Sequence, residues 1–292
     1  MSDKQKFLAV LILLPTLLLA LLAIVIIGAT KSTLIIPAEP PAETQPTTTT
    51  SPEPVPTRLP QACDGTALGS PPEGFASALQ DMAASGVEVQ AAWLNTEGTV
   101  ERVGTQETMP AWSTSKVPVA LAAAQAGMDD QLSWQISASL RSSDNAAAAA
   151  VWNSLGQNDS QRAAATTRVF REAGDDNTTV PETALRPGFN VFGQTRWDVQ
   201  DQFAFLLQLP CMAGSDAVIE NMANIDQGQR WGLGTLPGAV FKGGWGPDQG
   251  GYVVRQFGWF ENNGRVPVAI SVRASSFEQG TSALSQIAAS LQ

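Results

Sequence analysis

The segment AWSTSKVPVA (residues 111–120) places three hydroxyl side chains and a lysine at the mouth of an apolar run with helical spacing. Positions three apart on a helix share a face, so the Ser113 hydroxyl and the Lys116 amine of this S-x-x-K pattern can meet. A lysine withdrawn from water and set near another cation loses proton affinity, and its neutral amine can then accept a serine proton. An ordinary helix start beside a surface lysine spells the same four letters, because serine and threonine are common caps. The rest of the chain has to separate the two readings.

Composition does part of that work. The chain has no histidine, which removes the Ser-His-Asp and Cys-His systems, both of which need an imidazole base. Its only lysines are Lys4, Lys6, Lys31, Lys116 and Lys242. The first three flank an apolar N-terminal segment, so the remainder keeps two lysines on a background charged by arginine, aspartate and glutamate. Lysines that scarce are positional rather than solubilising. The net charge of −10 excludes nucleic acid as a partner, since phosphate binding needs clustered basic residues.

Residues 7–29 carry no charge and match the roughly 20 residues that cross a bilayer core. Lys4 and Lys6 ahead of them predict a six-residue cytoplasmic tail, a retained single-pass anchor and a C-terminal domain outside the membrane. A cleaved signal peptide, leaving a secreted domain, is the alternative. Residues 30–62 include TQPTTTTSPEPVPT, a Pro/Thr-rich composition that cannot bury apolar area and reads as a disordered tether. The folded domain is expected over 63–292. Its two cysteines, Cys63 and Cys211, read as a disulfide in an exported protein, with two free thiols as the other possibility. Two distant cysteines without histidine make no metal-ligand set, and no cofactor is expected.

Within that domain, spacing predicts a helix over 75–84 and strands over 87–95 and 99–104. Helices follow over 113–126, 129–141, 145–155, 160–173 and 197–209. Strands return at 239–242, 251–261 and 266–274, the last two joined at Asn262-Asn263-Gly264, and a helix over 277–291 closes the chain. Strands at both ends around a helical block predict an α+β fold. One antiparallel sheet is built from both ends of the domain and flanked by helices, with a helical subdomain inserted between. A cleft at that boundary is where a site belongs.

Two further motifs fall in order. Ser143-Asp144-Asn145 sits between two helices, where such residues also serve as caps. Phe241-Lys242-Gly243-Gly244 lies on an expected strand whose glycines allow another backbone or a ligand to approach, or mark a bulge. With Ser113 and Lys116 these resemble the S-x-x-K, S-D-N and K-T-G motifs of the class A β-lactamases and penicillin-binding proteins. The resemblance extends over most of residues 70–292, including SDNAAAAAVWNSLG and REAGDD.

It implies Ser113 as nucleophile, Lys116 as its base, Ser143 as proton relay to the leaving group and Asn145 as a hold on the substrate amide. It implies that Lys242 faces the substrate carboxylate, and that the backbone N–H groups of Ser113 and Trp245 form the oxyanion hole. The substrate so implied is a peptidoglycan stem peptide or a β-lactam. Three departures qualify it. Gly243 stands where the family has a hydroxyl residue. The span from Ser113 to Ser143 is much shorter than in class A β-lactamases, which suggests a more open groove. In the stretch DDNTTVPETALRPGFNVFGQTRW the family's Arg-Trp-Glu-x-x-Leu-Asn pattern is absent. Glu182 is the nearest carboxylate for deacylation, unless it pairs with Arg186 one turn on. Arg255 would supply the carboxylate contact that Gly243 cannot. Without the deacylating carboxylate, rapid antibiotic hydrolysis is not expected. A catalytically inactive descendant that binds wall peptides or an envelope partner is the rival reading.

Overall fold

The structure is a computed structural model that describes residues 61–292. The anchor expected at 7–29 and nearly all of the tether at 30–62 lie outside these residues. Among the described residues no single helix is long and apolar enough to cross a membrane.

The chain begins with α1 (Phe75–Ala84) and runs through β1 (Glu88–Leu94), β2 (Val100–Val103) and a two-residue β3 (Met109–Pro110). A one-turn 3-10 segment, Trp112–Ser115, leads directly into α2 (Lys116–Gln125). Then come α3 (Ser133–Arg141), α4 (Asn145–Ser154), α5 (Asp159–Glu172), a two-residue β4 (Arg196–Trp197), α6 (Val199–Gln208) and α7 (Ser215–Ala223). Three long strands follow, β5 (Val240–Asp248), β6 (Gly251–Glu261) and β7 (Arg265–Ala274), before α8 (Phe277–Ala289).

The main sheet has the order β2-β1-β7-β6-β5, and all its pairings are antiparallel. N-terminal and C-terminal strands therefore meet at the β1–β7 pair, as the strand-helix-strand pattern requires. Strand parity then divides the core. Ala92 and Leu94 join a cluster with residues of α2, α5 and α6, including Val119, Phe170 and Phe205. Val89, Ala91 and Trp93 of the same strand turn to the opposite face and pack with Phe75 of α1 and Leu284 and Ile287 of α8. On the helical side Trp197 meets Phe170, Phe205 and Phe257 with ring centroids 5.0–5.5 Å apart.

Beyond the short β3 and β4, which the spacing does not predict, three differences from the sequence expectation stand out. β5 runs to Asp248 rather than stopping at Lys242, and its pairing with β6 continues without a bulge through Gly243, Gly244, Gly246 and Pro247. These residues read as strand breakers, but β5 is an edge strand, where proline and glycine are tolerated. α7 was not anticipated, its nine residues being bounded by Gly214 and Asn224. The expected helix at 113 opens instead as a 3-10 turn, with Trp112 ahead of the nucleophile position in the left-handed region at φ 49°.

Cys63 and Cys211 form a disulfide across a sequence separation of 148, which fixes the start of the domain to the end of α6. Closing a loop that long constrains the unfolded chain strongly. Replacing both cysteines by serine should cost about 2–4 kcal/mol and lower the Tm by roughly 5–15 °C, read by scanning calorimetry.

Candidate active site

The S-x-x-K segment, the turn before α4 and the edge strand β5 converge on one cavity of about 360 Å³. Its lining includes Ser113, Lys116, Ser143, Asn145 and Trp245. Each arrives there for a local reason. Ser113 lies in the 3-10 turn after β3, and Lys116 opens α2 as a fully buried residue. Ser143 takes the left-handed conformation at φ 57°, which lets the chain turn sharply from α3 into α4. Asp144 caps α4 by accepting from the Ala147 N–H at 2.6 Å. The capping role of this motif thus falls to Asp144 alone, and the side chains on either side of it are left to face Lys116.

Lys116 Nζ donates to the Ser143 carbonyl at 2.5 Å and to Asn145 Oδ1 at 2.9 Å, with Ser143 Oγ at 3.3 Å. Lys242 Nζ donates to Ser143 Oγ at 3.0 Å and to its own neighbour's carbonyl, Gly243 O, at 3.0 Å. Ser143 Oγ therefore stands between the two amines. Burial pulls the Lys116 pKa down to about 7, partly opposed by Asp144. Burial also pushes Lys242 well below its ordinary value, with the Lys116 charge adding to the effect. Ser113 Oγ shares the cavity with Lys116, and among the described residues no hydrogen bond joins them. Contacts of this kind commonly tighten only when substrate is present.

Glycines let β5 lie against the turn that carries Ser113. A Cβ at Gly244 would fall 2.7 Å from Ala111 O and 2.8 Å from the N–H nitrogens of Ser113 and Thr114, so only glycine fits. A Cβ at Gly246 would strike the Trp112 ring at 2.5 Å.

The structure corrects three assignments. Gly243 and Gly244 do not line the cavity. By strand parity a side chain at 243 would point to the other face of the sheet, 3.2 Å from Trp231, while Gly244 is sealed beneath the turn that carries Ser113. Arg255 does not reach out for a substrate carboxylate. It lies opposite Gly244, is fully buried, and donates to Met109 O, Pro110 O, Trp197 O and Gln202 Oε1. Glu182 is exposed and is not part of the cavity wall. Nor does it pair with Arg186, which donates instead to Pro247 O at 2.7 Å. Among the described residues no aspartate or glutamate lines this cavity.

Sequence reasoning missed the aromatic wall supplied by Trp112, Phe189, Phe192 and Tyr252. Trp112 and Phe189 meet edge to face at 5.1 Å. Phe189 sits in a Pro/Gly-rich loop with no periodicity to reveal which way it faces.

A model of the Beta-lactamase enzyme family matches residues 74–179. The crystal structure of the β-lactamase from Sphaerobacter thermophilus superposes with a TM-score of 0.59 at 19% identity, covering 74% of this chain and 95% of the other. TLA-3 extended-spectrum β-lactamase gives 0.61 at 15% identity, covering 74% and 98%. A variant of the last common ancestor of Gram-negative class A β-lactamases gives 0.58 at 18%, covering 75% and 97%. A search of curated proteins returns no match. At such identities the superpositions establish the fold alone, an α+β arrangement shared with these β-lactamases.

Proposed function

We propose that this chain, built on the serine β-lactamase fold, forms an acyl-enzyme through Ser113 on D-amino-acid peptides of the cell wall, or slowly on β-lactams. The observation that carries this reading is the meeting of Ser113, Lys116, Ser143 and Asn145 in one cavity, with Lys242 bonded to Ser143 Oγ. The neutral Lys116 amine takes the Ser113 proton as Oγ attacks the substrate carbonyl. Charge that develops on the carbonyl oxygen falls to the backbone N–H groups of Ser113 and Trp245. Ser143 Oγ then gives its proton to the leaving nitrogen and is re-protonated from the lysine pair on either side of it. The C–N bond breaks, and the acyl group stays on Ser113 until water or an acceptor amine removes it. Since no carboxylate lines the cavity, nothing there activates that water strongly, and the adduct should be long-lived.

The disulfide fits an oxidising compartment. Together with the uncharged stretch 7–29 it supports a domain held outside a membrane by residues 30–62. A second reading, a binder of wall peptides without catalysis, is favoured by the absence of a Lys116–Ser113 hydrogen bond. Incubating the full chain with a fluorescent penicillin and following intact mass separates the two. A stoichiometric adduct on the Ser113 peptide that persists for minutes or longer is expected, and no adduct under any condition would leave the binder.

A further inference from the structure

Beside the nucleophile's cavity lies a second one of about 310 Å³, and the two share Trp112 and Pro247 as a common wall. We infer that this second cavity is a subsite for the far end of the acyl group, and that Arg186 receives a carboxylate there. The inference rests on the acyl-enzyme reading given above.

Position along β5 decides which half of a substrate enters. Lys242, with Ser143, marks the end where the leaving group takes its proton. Trp245 lies three residues further on, and Pro247 five, which at about 3.3 Å per residue is roughly 16 Å along the strand. A cavity entered past Pro247 therefore lies on the acyl side of the scissile bond.

Charge decides what it holds. Among the described residues two arginines, Arg186 and Arg196, and one carboxylate, Asp248, line this cavity. Arg196 is already committed to Asp248 at 3.0 Å, and Asp248 is in turn held by Arg273 at 3.2 Å. Arg186 has no carboxylate partner among the described residues. One of its N–H groups is bonded to Pro247 O, and its guanidinium lies 6.0 Å from the centre of the Phe189 ring.

The backbone that presents it is fixed from below. Gln194 is 5% exposed; its Oε1 accepts from the Arg186 N–H at 2.5 Å, and its Nε2 donates to the carbonyls of Arg186 and Phe189 at 3.2 and 3.1 Å. One buried amide thus clamps the backbone at Arg186 and again at Phe189, so less ordering remains to be done when an anion arrives. Pro110, Trp112 and the 65% exposed Leu185 supply the apolar part of a wall that Gln194, Asp248 and Gln249 otherwise make polar. A hydrocarbon chain ending in a carboxylate is complementary to this surface, and a planar guanidinium suits that group by its fork geometry.

The test compares two thioester acyl donors with the same thiol leaving group, one bearing an adipoyl chain and the other its terminal carboxamide. Acylation of Ser113, in which the Ser113 Oγ–C bond forms as C–S breaks and the thiol leaves with a proton, is followed by intact mass on the full chain. The adipoyl donor should react about tenfold faster, a preference that Arg186→Gln abolishes without slowing the carboxamide donor. Equal rates in the parent chain, or a preference that survives Arg186→Gln, overturn the subsite while leaving the acyl-enzyme reading intact. Binding of N-adipoyl-D-alanine to the Ser113→Ala chain, titrated by calorimetry, covers the other case. Binding that weakens about tenfold on adding Arg186→Gln supports the subsite even if neither donor acylates the parent chain, a result that would remove the catalytic reading alone. Binding indifferent to Arg186 overturns the subsite whatever the chemistry does.

Discussion

Replacing Lys116 by alanine is expected to slow acylation of Ser113 by about 10²–10⁴-fold, the range that a positioned proton acceptor contributes. The assay is the rate of adduct formation followed by intact mass. With no histidine in the chain and, among the described residues, no carboxylate in the cavity wall, few groups can substitute for it. The pH dependence gives a sharper test. Only the neutral amine carries a free electron pair, and burial places the Lys116 pKa at about 7. The acylation rate should therefore rise as pH climbs through 7 and level off above it. Lys116→Arg should not rescue the rate, because a guanidinium stays protonated throughout that range. A loss of less than tenfold with the pH step intact would assign the base elsewhere, Lys242 being the first place to look.

Arg255→Met should destabilise the domain by about 3–5 kcal/mol and lower its Tm by roughly 10 °C. The arginine ties together three carbonyls from two short strands, those of Met109 and Pro110 in β3 and Trp197 in β4. Its other nitrogen holds Gln202 of α6 at 2.7 Å, and Gln202 Nε2 donates to Thr114 Oγ1 at 3.1 Å. Methionine fills much of the volume but leaves these acceptors buried without donors, the costly half of losing a hydrogen bond. Burial already lowers the Arg255 pKa to about 9, so the guanidinium is itself held at a cost that its carbonyl partners offset. Thr114 adjoins Ser113, and acylation should slow in the same variant. Thermal melts that match the parent chain would show that the β3–β4 ribbon is held by packing alone.

Much of this architecture was legible because it rests on short-range rules. Helical spacing located α1, α4 and α8, and the Asn-Asn-Gly turn located the β6–β7 hairpin. The S-x-x-K and S-D-N motifs pointed to Ser113, Lys116, Ser143 and Asn145 of the cavity wall, since each motif is local, while Lys242 of the third reaches that group only through Ser143 Oγ. What escaped depends on partners distant in sequence. The glycines and proline of β5 read as an ending, because nothing local says that the strand is an edge. Arg255 was assigned outward, although its direction follows from pairing opposite Gly244, a register that only the folded sheet defines. Glu182 and Arg186 were weighed as a pair at helical spacing, but that stretch is not helical, so the four-residue separation has no meaning there. The aromatic cavity wall comes from turns and loops as well as β6, and no periodicity marks it.

The bridge between Cys63 and Cys211 also sets how the domain answers a mechanical pull. Tension applied between the two ends of the domain reaches Cys63 almost at once and crosses through sulfur to Cys211, bypassing everything between. The bypassed stretch contains Ser113, Lys116 and the 143–145 turn, which stay slack while the covalent shortcut holds. Lys242 and β5 lie beyond Cys211, on the loaded side, so stretching would draw the strand from the turn that carries Ser113 before it deformed the turn itself.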